Sequence, residues 1–479
     1  MENHSREIAE QMNAMSVTEM VNYYTEHADL IARAPREIHT IGLYYHCMRL
    51  GGVERVISLL IPVWLQERYR VVLFTEEEPS SEDFPYPEET VRITLPKDTQ
   101  GMEKRLMKLE EAIVSERVDF FVYHEWTDYK MFPEMLLIKK YHIPFILYTH
   151  GQFSIIYRFM HDYTLNSHKI FALCDLVLTL SETNKHFYEL CHCRAMDVQN
   201  PIAPELKEIV PIQSAPDNHQ VVWIGRFSAE KRPLDAIRII KHVCEQVPDA
   251  VLKLVGSGPE ADVVEAQALC RELGIEKNVV FCGQQSDVSR FYKEAAVVLM
   301  TSETEGYPNV IIEAKAYGKI LAMYALPYLT MTKSGLGLRT AKIGDVKGLA
   351  TEIARILQDA GLRKMLEDES VQSFAEFRDY SQADLWNAII KEMEQADTQE
   401  SVLSSSLEIE TNDCNLKDAS VAVQEVVHCD DGPLMISMLL NDANIACKRG
   451  MKAMESYPDF RVGHAVLKIP RMIKHLLKK

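Results

Sequence analysis

The 479-residue chain lacks what would tie it to a membrane span, an oxidised framework or a nucleic acid. No apolar run reaches the roughly 18 residues that suggest a spanning helix. The amino terminus, Met1-Glu-Asn-His-Ser-Arg6, is polar and acidic where a secretory leader would be apolar. Its 10 cysteines form no C-x-x-C pair, and Cys191-His-Cys193 is too close and too isolated to read as a metal site. Free thiols in a reducing cytoplasm are therefore expected. Positive charge is also short: 52 Lys and Arg against 70 Asp and Glu leave a net charge of −18, without the basic footprint that nonspecific nucleic-acid binding needs. What remains, 47% apolar and 25% charged residues, is the make-up of a soluble globular protein. The length exceeds one hydrophobic core, so two domains plus extensions are expected.

Apolar strands alternate with helix-like stretches. After a helical extension over 1–35, strands are predicted at 38–45, 71–74, 119–123, 144–149 and 176–180. The pattern restarts at 221–224, 251–255, 278–282 and 296–300, and helices follow at about 344–358 and 361–378. Such alternation predicts parallel, doubly wound α/β sheets, one per half. The expected organisation is a first Rossmann-like domain over 36–200, a second over 201–380, and a short helix over 381–395. From 396 to 432 the composition turns to Ser, Asp, Glu and Asn without a period, as in an acidic linker. Residues 433–479 regain apolar character, and over 461–479 Ile469, Ile473, Leu476 and Leu477 alternate with Lys468, Arg471, Lys474 and Lys478. That pattern suits a basic amphipathic helix on an anionic membrane surface, and equally a helix packed on the domain.

The richest stretch for chemistry is Glu305-Gly-Tyr-Pro-Asn-Val-Ile-Ile-Glu313, two carboxylates eight residues apart across a loop-to-helix junction. It follows the strand 296–300, so Glu305 should sit at the carboxyl end of a parallel strand, where open α/β sheets bind ligands. Pro308 suits the first helical turn, since its missing N–H would be unpaired there. The free amides of that turn would favour a diphosphate. A capping acid and a solvated helix acid would give the same letters. The second piece is the strand 221–224 running into Gly225, Arg226 and Lys231, which offers a planar fork of donors and a compact charge for phosphate.

Gly225-Arg226…Lys231 and Glu305-Gly306-Tyr307-Pro308-Asn309…Glu313-Ala314…Gly318 together resemble the carboxyl-terminal domain of retaining GT-B glycosyltransferases of family GT4. The amino-terminal half adds Gly51-Gly52, opening a helix as the family's glycine loop does, although a plain tight turn would read alike. It also adds His150 at the end of the strand 144–149, and Asn200-Pro201 resembles the family's hinge into the second domain. Gly256-Ser-Gly258-Pro-Glu-Ala261 matches the dinucleotide fingerprint G-x-G-x-x-G/A, but the next strand closes on Gly283-Gln-Gln with no acid for a ribose. The resemblance places Gly256 and Gly258 near a nucleotide and makes a dehydrogenase the weaker reading.

The resemblance implies a GT-B architecture, two Rossmann-like domains with an interdomain cleft, and metal-independent transfer of a sugar from a nucleotide-diphosphate sugar to a glycan or lipid-linked acceptor, with retention. It implies that Arg226 and Lys231 neutralise the leaving diphosphate, Glu305 holds sugar hydroxyls, Glu313 the ribose, and His150 the sugar near the reacting carbon. Gly51, Gly52, Gly225, Gly256, Gly258, Gly306, Tyr307, Pro308 and Asn309 would line the donor site. No metal and no resident cofactor are implied. The protein is expected in the cytoplasm, with peripheral membrane contact through 461–479. Glu54 and Asp128 are open to an acceptor-side role or to plain surface positions. The chain departs from the family after Gly318, where Lys319-Ile-Leu-Ala-Met-Tyr-Ala-Leu-Pro-Tyr-Leu329 replaces the usual glycine loop. That departure keeps a second reading open: an inactive nucleotide-sugar-binding pseudo-transferase serving as a scaffold or partner subunit.

Overall fold

The computed structural model describes residues 3–49, 51–125, 128–154 and 162–395, with backbone only for 162–165. The expected acidic linker and basic tail lie outside the described residues. The chain divides into two compact units, Met1–Pro201 with the chain from Ser381, and Ile202–Tyr380.

Unit 1 holds a seven-stranded sheet of β1 (Thr40–Tyr44), β2 (Arg70–Thr75), β3 (Val91–Thr94), β4 (Phe120–Tyr123), β5 (Phe145–Tyr148), β6 (Leu176–Thr179) and β7 (Ala195–Asp197). Their order is β3-β2-β1-β4-β5-β6-β7, and every pairing is parallel. Chain direction along the sheet reverses between β1 and β4, which makes that junction the topological switch point. Strands β1, β4, β5 and β6 are buried at every position, as befits a sheet covered on both faces.

The amino-terminal extension forms helices His4–Ala14 and Val17–Glu26. A reciprocal capping box between Ser16 and Glu19 starts the second. Ser5 and Glu7 tie the first to the domain, through Ser5 Oγ to Glu110 at 2.5 Å and Lys140 to Glu7 at 2.7 Å. The helix Gln382–Met393 also belongs to unit 1 and buries Trp386 edge-on against Trp64, ring centroids 4.9 Å apart. Aromatic burial of this kind contributes about 0.5–1.5 kcal/mol beyond its area.

Unit 2 holds β8 (Gln220–Ile224), β9 (Val251–Val255), β10 (Val279–Gly283), β11 (Val297–Met300), β12 (Ile320–Tyr324) and β13 (Leu338–Ala341) in the order β10-β9-β8-β11-β12-β13, again all parallel. Its switch point falls between β8 and β11. The core gathers alternate residues of these strands with Ile237, Ile240, Ile353 and Leu357 from the helices Pro233–Cys244 and Val346–Gln358.

The two parallel sheets expected from the alternation are present, but four strands escaped prediction. Strands β3, β7 and β13 carry Arg92, Asp197 and Arg339 at only partly buried edge positions, so they lack an apolar run. Strand β12 is fully buried and lies inside the segment that reads as a departure from the family.

Candidate active site

In unit 2 the loops leaving β8 and β9 are zipped together by backbone. Gly225 N–H donates to Val255 O at 3.0 Å and Phe227 N–H to Ser257 O at 2.9 Å. A Cβ on Gly256, at φ +135°, would stand 1.9 Å from Gly225 O, and one on Gly258 would stand 2.4 Å from Phe227 O. Loop packing therefore requires both glycines before any ligand is considered. This packing need stands beside the expectation that both glycines line a nucleotide site.

Beyond Gly225 the chain makes a short turn, Ala229–Lys231, then places Arg232 in the left-handed region at φ +50° before Pro233 opens a helix. A side chain other than glycine costs roughly 1–2 kcal/mol there, and several contacts hold it. Arg232 reaches Asp235 at 2.8 Å and Glu303 at 2.9 Å. Thr301 Oγ1 lies 2.8 Å from Lys231 O and 3.0 Å from Arg232 O, and Trp223 Nε1–H donates to it at 2.9 Å. Glu303 N–H donates to Glu230 O at 2.9 Å. The loops after β8 and β11 are thus bound to each other at the switch point.

Lys231 and Glu305 face each other across that junction, Nζ to Oε1 at 2.6 Å, with side chains 25% and 9% exposed. Both cations follow β8, the strand that pairs directly with β11 ahead of Glu305. Arg226 is 79% exposed and meets Glu230 at 3.4 Å. Pro308 stands just before the helix Asn309–Ala316, as its N-cap residue rather than in its first turn. Gly306 and Tyr307 lie in the loop ahead of it. Glu313 is buried within this helix, and its Oε2 accepts from Tyr292 Oη at 2.7 Å. The segment after Gly318 is β12 followed by a turn, and the turn's Tyr328 Oη accepts the Glu305 N–H at 2.9 Å. The departure from the family pattern thus bonds directly to the Glu305 loop.

In unit 1 the switch-point loops carry His46 after β1 and His124 and Glu125 after β4, with His150 after β5. Gly51 is the N-cap of the helix Gly52–Gln66, and a Cβ on it would stand 2.2 Å from Glu54 Oε2. The missing side chain makes room for the chain's own carboxylate over the helix start, a favourable place for negative charge. Gly52 has open space around its Cβ position. Glu54 is buried, not a surface group, and accepts from Cys47 Sγ at 3.5 Å.

His46 lies 3.2 Å from Glu125, whose carboxylate raises its pKa. The His150 imidazole lies 2.7 Å from His124, Nε2 to Nδ1, and stacks on Tyr148 with centroids 4.6 Å apart. Burial pushes His150 down to about 3 and, with the neighbouring His150, lowers His124 well below its ordinary value. Behind these loops Arg105, fully buried, pairs with Glu134 and, at 2.8 Å, with Glu76. Glu76 also receives Lys130 at 2.8 Å and Tyr44 Oη at 2.9 Å. Burial pushes the Glu76 carboxyl up, but Lys130 and Arg105 outweigh it and hold it below the usual range. Asp128 pairs with Lys130 at 2.7 Å.

Residues 206–372 match the profile described as Glycosyl transferases group 1, and residues 50–198 match that described as Glycosyltransferase Family 4. The chain belongs to the group 1 glycosyltransferases, of GT-B type. Among relatives of this family member, a Campylobacter jejuni alpha-1,4-N-acetyl-D-galactosaminyltransferase acting on a diphosphoundecaprenol-linked glycan is 24% identical over 300 residues, 61% of this chain and 80% of its own. The lipopolysaccharide core biosynthesis glycosyltransferase LpsD of Rhizobium meliloti is 33% identical over 157 residues, 32% of this chain and 44% of its own. The matched stretch spans only 43% and 56% of two further relatives, both uncharacterised glycosyltransferases, from Haemophilus influenzae and Methanocaldococcus jannaschii. Among solved structures, sucrose-phosphate synthase of Thermosynechococcus elongatus superposes with a TM-score of 0.60 at 18% identity, covering 74% of this chain and 97% of that one. Anabaena HepE in complex with UDP does so with a TM-score of 0.60 at 16% identity, covering 74% and 99%. These two likenesses show the fold.

In this chain the geometry brings Lys231 together with Glu305 and sets Glu313 in the same unit, while His150 stands in unit 1. Sequence reading missed Arg232, Glu303, Tyr328 and His124. The left-handed Arg232 and its Glu303 contact had no local signal, since only the β8–β11 pairing makes them neighbours. Tyr-His124-Glu at the end of the strand 119–123 was the signal available for His124. Among the described residues no group of three or more His, Cys, Asp or Glu side chains is arranged to hold a metal ion.

Proposed function

We propose that this chain transfers a sugar from a nucleotide-diphosphate sugar to a glycan or lipid-linked acceptor, retaining the anomeric configuration and using no metal ion. The observation that carries this reading is the Lys231–Glu305 contact at the switch point of unit 2, with Arg226 exposed beside it on the same loop. Breaking the sugar–phosphate bond puts negative charge on the leaving diphosphate. Cations already in place there lower the barrier. Arg226 and Lys231 take that role, the amides opening the helix Asn309–Ala316 assist, and Glu305 receives sugar hydroxyls. Glu313 serves the ribose, with Tyr292 orienting its carboxylate. His150 meets the sugar. HepE, solved with UDP, and the acceptor named for the Campylobacter enzyme support this donor and acceptor class.

Incubation with a panel of nucleoside-diphosphate sugars and a lipid-linked acceptor, with chelator present, tests the proposal. The expected product carries the donor's anomeric configuration by NMR, and Glu305→Gln loses it. Nucleotide binding without turnover on any donor would instead favour the pseudo-transferase reading. No helix among the described residues is long and apolar enough to cross a membrane. We assign peripheral contact to the basic tail 461–479, so its deletion should move the protein from vesicle-bound to free. Unchanged sedimentation with anionic vesicles rules that contact out.

A further inference from the structure

His124 and His150 are consecutive in space, not in sequence. They stand at the carboxyl ends of the neighbouring strands β4 and β5, whose register pairs Tyr123 with Leu147. Their rings are nearly parallel, 12° apart with centroids at 5.0 Å, and His124 Nδ1 lies 2.7 Å from His150 Nε2. A separation that short between ring nitrogens requires that one carry the hydrogen and the other accept it.

Two arrangements satisfy this. If His150 Nε2 carried the hydrogen, His124 Nδ1 would accept it, and the His124 proton would sit on its own Nε2. That Nε2 is buried, in a residue 1% exposed, and no acceptor among the described residues reaches it. An orphaned buried N–H is costly and rare, whereas a bare lone pair in the same place costs less. The other arrangement avoids the cost: His124 Nδ1–H donates to His150 Nε2, and His124 Nε2 is the bare nitrogen. His150 then holds its hydrogen on Nδ1. Burial keeps both rings neutral at pH 7, so no second proton intervenes.

We infer that His124 is a positioning residue that fixes His150 in the Nδ1–H tautomer, so that His150 offers the sugar a hydrogen-bond donor and takes an oxygen acceptor. The inference rests on the proposed placing of His150 at the sugar, but the tautomer is a property of the protein alone. Tyr148 stacks on His150 at 4.6 Å and is tilted against His124 at 5.2 Å, which holds both rings in plane with the bond. This is the outer-sphere arrangement by which one ring nitrogen's bond decides the state of the other.

Long-range 1H–15N correlation spectra of the histidine side chains test the inference on the full chain. In the wild type His150 is expected with a protonated Nδ1 and a bare Nε2. His124→Asn, whose amide nitrogen can stand in for Nδ1–H, should keep that tautomer, and His124→Phe should lose it. Transfer should follow the tautomer, with kcat/KM falling roughly ten- to a hundredfold in His124→Phe and recovering in His124→Asn. Nucleoside-diphosphate affinity should stay unchanged in both, because its proposed contacts lie in unit 2. A wild-type His150 protonated on Nε2, or a tautomer indifferent to His124→Phe, overturns the inference. A correct tautomer with no transfer on any donor overturns the proposed function and leaves the inference standing.

Discussion

Arg226→Ala separates ligand binding from folding. The guanidinium is 79% exposed and, among the described residues, pairs with Glu230 at 3.4 Å, four residues on. Exposed pairs of this kind contribute about 0.2–1 kcal/mol, so the ligand-free melting temperature should move by no more than about 4 °C. With a nucleoside diphosphate bound, the same side chain makes a charge-assisted hydrogen bond to phosphate, contributing about 1.5–3 kcal/mol. At 1.4 kcal/mol per tenfold, that is a weakening of about 10- to 150-fold on removal. Ligand at 100 times Kd stabilises the wild type by about 2.7 kcal/mol. After a hundredfold weakening the same concentration equals Kd and stabilises by only about 0.4 kcal/mol. The difference of about 2.3 kcal/mol corresponds to about 5–9 °C of lost ligand-induced shift for a unit of this size. Thermal shift with UDP and GDP, without added metal, reads this directly. Arg226→Lys should fall between, keeping the charge but losing the fork. If Arg226→Ala shows the wild-type shift with a nucleotide that binds, Arg226 does not touch the diphosphate.

Three further outcomes are expected. Lys231→Ala removes the ammonium from a carboxylate only 9% exposed and should cost about 1–3 kcal/mol of unit 2 stability, which adding Glu305→Gln restores in chemical denaturation. Failure of the second change to restore it would mean that Glu305 does not depend on Lys231. Arg105→Met leaves Glu134 buried without its guanidinium and should destabilise unit 1 by about 3–5 kcal/mol, whereas Arg105→Met with Glu134→Leu should be far milder. A cost below about 1 kcal/mol for the single change refutes the pairing. The depressed histidines give a signed pH effect: below their unfolded value of 6.5 the unfolded chain takes up protons that folded His150 refuses until about 3, so stability falls as pH drops through that window. Urea denaturation at pH 7.5 and 5.5 should show this, and a flatter dependence in His124→Asn; equal slopes refute it.

Much of the donor-side chemistry is local in sequence. The spacing of Glu305 and Glu313 reports itself, because the strand ending at Met300, a loop with Pro308 and the helix start at Asn309 follow one another along the chain. Gly225, Arg226 and Lys231 follow the strand β8 for the same reason. Local letters are incomplete where part of a residue's reason lies on another strand. Gly256 and Gly258 read as a nucleotide loop, and contact between two loops of the sheet requires them as well. Gly51 is a local case instead: it clears space for Glu54 in the helix that it caps.

The fold class was legible in the linear chain: alternating apolar strands and helices, twice over, with the charged motif at the carboxyl ends of two of them. Periodicity and motif spacing are short-range properties, and a linear reading holds them. Which strand ends became neighbours was settled by the folded sheets. Pairing of β8 with β11 turns Lys231 and Glu305, 74 residues apart, into a contact of 2.6 Å. Pairing of β4 with β5 brings His124 to His150. Strand order in a parallel sheet is set by crossover packing and burial over the whole unit, so no window of the chain contains it.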